Sequence, residues 1–131
     1  MSLNQQIHRL ANGKQACDIT RRPVETSIIF YRRNNRLYYL KGYDYTGTDS
    51  FVKFTEPKKI VQRCRQLGSS EIIFMHNHPM INGKVNTLPS RMDIRTTEKM
   101  IAELKRYGIR VLDHIIVTPQ NYFSFHQQEM I

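Results

Sequence analysis

The chain has 131 residues, 40% of them hydrophobic and 24% charged, which suits one globular domain spanning residues 1–131 with residues 1–20 as an N-terminal helical extension. No apolar run approaches the length of a membrane span and no signal-peptide pattern opens the chain. Cys17 and Cys64 form no C-x-x-C pair, so a reducing, cytoplasmic setting is expected, with Cys64 in the core.

Twenty Lys and Arg against 11 Asp and Glu leave a net charge of +9, a balance that favours polyanions such as nucleic acid or acidic protein surfaces. The basic residues are dispersed, from Arg21-Arg22 through Arg32-Arg33 and Lys58-Lys59 to Arg106, and build no tail. Along the chain, Ile7, Leu10 and Ala11 at helical spacing predict a short helix over residues 4–12, stopped by Gly13. Residues 26–32 are rich in strand formers, Asn34-Asn35 is turn material, and residues 37–40 read as the returning strand of a hairpin. Gly42 and Gly47 suggest a loop, followed by a brief strand over residues 51–54.

Thr55-Glu56-Pro57 offers a capping hydroxyl, an acid and an early proline, opening a helix with Ile60, Val61, Cys64 and Leu67 on one face and Gly68 as its stop. The apolar run Ile72-Ile73-Phe74-Met75 then reads as a buried strand. Ser90 opens a second helix carrying Ile94, Thr97, Ile101 and Leu104 and ending at Gly108. Residues 109–118 form another strand, interrupted at Asp113-His114, and residues 122–125 a last one. Alternating strands and helices in the second half require crossovers, so a mixed sheet with helices on both faces is expected.

The buried strand ends in His76-Asn77-His78-Pro79. Alternate residues of a strand point the same way, so His76 and His78 present both imidazoles to one side, and Pro79 places them at the strand exit. Alone, His-x-His is more often surface or core than a ligand pair. Ser90-x-x-Asp93 is close to a capping box, which would fix Asp93 in the first helical turn, able to look inward at the histidines. Two imidazoles and a carboxylate are a good zinc set, with a fourth position left for water. Such a site needs a base. Glu25 is the candidate, just before the first strand, with Glu56 and Glu71 as rivals. His114 reads as a hydrogen-bonded sheet histidine and not as a ligand.

The motifs His76-Asn77-His78-Pro79, Pro89-Ser90-x-x-Asp93, Leu112-Asp113-His114-Ile115-Ile116-Val117 and Tyr122-Phe123-Ser124-Phe125 closely resemble, in this order, the JAB/MPN domain of RadC-type bacterial proteins, within the JAMM metalloprotease superfamily. The resemblance runs from about Glu25 to the C-terminus. It implies an α/β fold, a three-layer α-β-α sandwich of the cytidine-deaminase-like type with a mixed sheet. It also implies Zn2+ held by His76, His78 and Asp93, Glu25 as general base, and Ser90 helping to hold the water or the oxyanion. Active members use the metal-activated water on a peptide or isopeptide carbonyl. Asn77 stands where eukaryotic deubiquitinases usually carry Ser or Thr, and is characteristic of the RadC branch.

The segment between His78 and Asp93 is longer than the compact Ser-Gly version of the family, which bears on substrate choice. Longer RadC proteins carry an N-terminal helix-hairpin-helix-like region, for which this chain has no room. The expected function is therefore a zinc metallopeptidase or isopeptidase acting on an unidentified protein or peptide. The alternative is a non-catalytic, DNA-associated module binding nucleic acid through its basic surface; the DNA-repair label of the family is no guide to activity. A His-Asn-His nuclease is disfavoured, because that signature is not a contiguous tripeptide on a strand. Zinc deaminase chemistry lacks its Pro-Cys-x-x-Cys ligands.

Overall fold

The computed structural model describes residues 1–40, 45–48 and 55–131. Among these are four helices, α1 (Leu3–Ala11), α2 (Lys14–Thr20), α3 (Pro57–Leu67) and α4 (Arg91–Lys105). The strands are β1 (Thr26–Arg33), β2 (Arg36–Tyr38), β3 (Tyr45–Thr46), β4 (Glu71–Asn77), β5 (Arg110–Val117) and β6 (Tyr122–Ser124). They form one sheet in the order β2-β1-β4-β5-β6, with β3 also paired to β1. β4 and β5 are parallel, as a connection through α4 requires, and the other pairs are antiparallel.

The period-two alternation of β1 and β4 sorts their side chains into two cores. Ile29, Tyr31, Ile72 and Phe74 pack with Ile60, Val61 and Cys64 of α3 and with Met100 and Leu104 of α4. Ile28, Phe30, Ile73 and Met75 face the other way, onto Ile7 of α1 and Ala16 and Ile19 of α2. The result is the expected α-β-α arrangement, with helices on both faces and Cys64 buried in the core.

The first hairpin turns on Asn34 and Asn35, both at positive φ (50° and 63°), the pairing a tight two-residue turn demands. Several expectations shift. The N-terminal extension holds two helices where a single short one over residues 4–12 was read; the stop at Gly13 ends α1, and the chain re-enters a helix at Lys14. Glu56, not Thr55, is the N-cap residue of α3, and no side-chain hydrogen bond caps that helix, whose first turn is set by Pro57. Helix α4 ends at Lys105, three residues before Gly108, and Met100 takes the core position next to Thr97 and Leu104. The strand expected over residues 51–54 and the loop position Gly42 lie outside the described residues.

β5 is not broken at Asp113-His114. Its pairing with β4 jumps from Ile72 opposite Val111 to Ile73 opposite Asp113, so Leu112 is an extra residue. Val111 lies in the α3/α4 core, whereas Leu112, Ile115 and Val117 lie in the α1/α2 core. The irregularity thereby reverses the parity of the strand and turns His114 to the α4 side.

Candidate metal centre

His76 and His78 stand at the C-terminal end of β4, on the α4 side of the sheet. The first turn of α4 faces them, and a full capping box fixes that turn. The Ser90 hydroxyl accepts from the Asp93 N–H (3.0 Å), and the Asp93 carboxylate accepts from the Ser90 N–H (2.9 Å). The capping carboxylate also meets the histidines, with Oδ2 at 3.1 Å from His78 Nε2 and Oδ1 at 3.4 Å from His76 Nε2.

The fourth side chain arrives from Glu25, immediately before β1. That strand runs antiparallel to β4 with Ser27 opposite His76. Glu25 shares the face of Ser27, and its Oε1 lies 3.5 Å from His76 Nε2. Asn77 clamps this segment: its Oδ1 accepts from the Thr26 N–H (2.6 Å) and its amide donates to the Val24 carbonyl (3.1 Å). On the opposite side, Glu25 exchanges backbone hydrogen bonds with Thr48 (2.6 Å) and Gly47 (2.7 Å). Glu25 is thus fixed on both flanks. Replacing Asn77 by Ala strands a buried N–H and a carbonyl, and is expected to lower stability by about 1–3 kcal/mol in urea denaturation. An unchanged midpoint would show that the clamp carries no energy.

Glu25, His76, His78 and Asp93 each offer a ligand atom, and these atoms all lie within 4.8 Å of one another. Two ligands on a tetrahedral zinc with bonds of about 2.0–2.1 Å stand about 3.3 Å apart. The observed separations of 3.1, 3.4 and 3.5 Å match that edge. The donor set of imidazole nitrogens and carboxylate oxygens therefore fits a zinc-type ion.

The electrostatics agree. Burial would raise the Asp93 carboxyl, but the adjacent imidazoles of His76 and His78 and the Ser90 N–H hold it well below the usual carboxylate range. Burial lowers His76, against the pull of Asp93. Burial also acts to lower His78, but Asp93 and the Asn86 carbonyl outweigh it and the net direction is up. Asp93 is 8% exposed and Glu25 6%, whereas Ser90 lies at the surface, so the centre opens toward solvent on the α4 side.

The long segment after His78 supports this centre. Ile81 and Lys84 bridge each other across a tight turn at Asn82-Gly83, both at positive φ (51° and 72°). Beyond the turn, the Asn86 carbonyl meets His78 Nδ1 at 2.7 Å. The other histidine ring of the group also has a partner behind it. His76 Nδ1 is 2.7 Å from His114 Nε2, and His114 Nδ1 is 2.6 Å from the Thr97 hydroxyl. His114 is the hydrogen-bonded sheet histidine expected, and it stands directly behind His76. The rival carboxylates lie elsewhere: Glu71 forms a two-point ion pair with Arg32 (3.0 Å each), and Glu56 stands at the N-cap position of α3. Sequence reasoning passed over Asn86 and the clamp made by Asn77. It also took Thr97 as part of an apolar stripe, although its place four residues after Asp93 was the available signal.

The family of RadC-like JAB domains matches residues 11–130. The chain belongs to the RadC-like JAB domain family. Its relatives include a UPF0758 protein of Streptococcus thermophilus, 31% identical over 126 residues that make up 95% of this chain and 51% of that protein. A UPF0758 protein of Alkaliphilus oremlandii is 40% identical over 80 residues, 61% of this chain and 33% of the relative. One from Fusobacterium nucleatum is 36% identical over 75 residues, 57% of this chain and 31% of the relative. The chain thus spans about half or less of the length of these RadC-family proteins. Among the described residues, no helix is long and apolar enough to cross a membrane.

Proposed function

We propose that this RadC-like JAB domain is a zinc-dependent hydrolase of peptide or isopeptide bonds, with His76, His78 and Asp93 as ligands and Glu25 as general base. One observation carries the reading. Four side chains from three separate places in the sequence converge within 4.8 Å at the end of a buried strand. Bound there, zinc would act as a Lewis acid, acidifying water and polarising the scissile carbonyl.

The chain's own residues divide the remaining work. Asp93 would neutralise part of the charge of a bound metal, and its capping bonds keep it in place. Glu25, buried and clamped beside His76, would take a proton from water and return it to the leaving amine. The Ser90 oxygen accepts the Asp93 N–H, which leaves the hydroxyl proton for another acceptor. Directed at the carbonyl oxygen of a substrate, that proton would stabilise the developing oxyanion.

The test is a screen of fluorogenic peptides and isopeptide-linked lysine substrates, with and without a zinc chelator. Turnover that chelation stops and zinc restores is the expected result. Absence of turnover across the screen, together with duplex-DNA binding that weakens steeply with salt, would favour the alternative module suggested by the charge of +9.

A further inference from the structure

We propose that Thr97 and His114 are positioning residues that fix the ring of His76 as its Nδ1–H tautomer, so that the Nε2 lone pair faces the metal centre. The inference deepens the zinc reading above and rests on it for its purpose, but the geometry behind it is independent of any reaction.

The Thr97 hydroxyl oxygen lies 2.7 Å from the Asp93 backbone carbonyl and 2.6 Å from His114 Nδ1. A carbonyl has no proton, so the one hydroxyl proton of Thr97 goes to it. The Thr97 oxygen can then only accept from His114, which requires His114 to carry its proton on Nδ1. His114 is fully buried, stacked on Phe125 (centroids 4.8 Å apart, 11° between planes) and edge-on to Phe74. Such apolar walls favour the neutral ring. A neutral ring protonated on Nδ1 presents a lone pair on Nε2, and that atom lies 2.7 Å from His76 Nδ1. His76 must therefore donate from Nδ1, which leaves its own lone pair on Nε2.

The direction of that lone pair gives the relay its meaning. His76 Nε2 faces Asp93 Oδ1 at 3.4 Å and Glu25 Oε1 at 3.5 Å. Three electron-rich atoms aimed at one point are held together best by a cation at that point. Had the chain of donors run the other way, Nε2 would carry a proton and could not bind a metal. Because the relay starts at the carbonyl of Asp93 and ends on His76, it also ties two ligands of the centre to each other through α4 and β5. Outer partners of this kind orient ligands and are typically worth about 10–100-fold in metal affinity.

The experiment reads the tautomer directly. In the isotope-labelled full chain stripped of metal, a long-range proton–nitrogen correlation of the imidazoles should show His76 protonated on Nδ1 alone. Thr97→Val should give a mixed tautomer and lower zinc affinity by about 10–100-fold in competition with a chelating dye. Thr97→Ser, which keeps the hydroxyl, should restore both. A parent whose His76 is protonated on Nε2, or a Thr97→Val chain with unchanged tautomer and affinity, would overturn the proposal. The parent spectrum decides even if Thr97→Val does not fold. Failure of the parent to bind zinc, with the tautomer as stated, would overturn the proposed function and support the relay alone.

Discussion

Glu25→Gln is expected to reduce hydrolysis by about 10²–10⁴-fold while zinc stays bound at the level of the parent. The substitution is nearly isosteric, and the backbone of residue 25 is held by Thr48 and Gly47, with the neighbouring Thr26 and Val24 held by Asn77. What changes is the ability of the side chain to accept a proton. The measurement pairs turnover of the best substrate with zinc content per chain by elemental mass spectrometry. The pairing matters because Glu25 Oε1 is as close to His76 Nε2 as Asp93 Oδ1 is, at 3.5 Å against 3.4 Å. A fourth ligand and a base thus occupy similar ground. Loss of zinc along with activity would make Glu25 a ligand and leave the centre without its base. Retained activity would remove Glu25 from the chemistry altogether.

Asp93→Ala should leave little zinc in a protein that otherwise carries near one ion per chain, with affinity falling by more than the roughly 100-fold at the upper end for losing an outer partner. Asp93 is the carboxylate that meets both histidines, Oδ2 on His78 and Oδ1 on His76, and Ala leaves those rings facing Glu25 alone. The same change removes half of the capping box, so a further loss of about 1 kcal/mol of stability is expected in the metal-stripped chain. Zinc content and urea midpoints together separate the two effects. A variant that folds and still holds stoichiometric zinc would exclude Asp93 as a ligand and sink the assignment of the centre.

How far the sequence reached can be judged residue by residue. The pair His76 and His78 was legible because strand periodicity is local: residues two apart on a buried run share a face whatever the rest of the chain does. Asp93 was legible for the same reason, since a serine with an acid three residues on writes its own helix start, and the structure holds both capping bonds. The mixed sheet with helices on both faces followed from the order of apolar runs and their stops. Helix α2 did not, because its residues 14–20 carry only Ala16 and Ile19 as buried anchors and have no side-chain cap.

Among Glu25, Glu56 and Glu71, the place just ahead of the first strand favoured Glu25, and the resemblance implied the same residue. Pairing decided where each one stands. The antiparallel register that sets Ser27 against His76 carries Glu25 to the centre across about fifty residues of chain, and the same sheet sends Glu71 to Arg32 at the far end of β4. His114 depended on a still subtler feature. One extra residue, Leu112, reverses the parity of β5, and without it the imidazole would face the α1/α2 core. Local periodicity determined which residues could be ligands. Long-range strand register and one bulge, fixed only when the two cores pack, decided which carboxylate and which third histidine stand beside them.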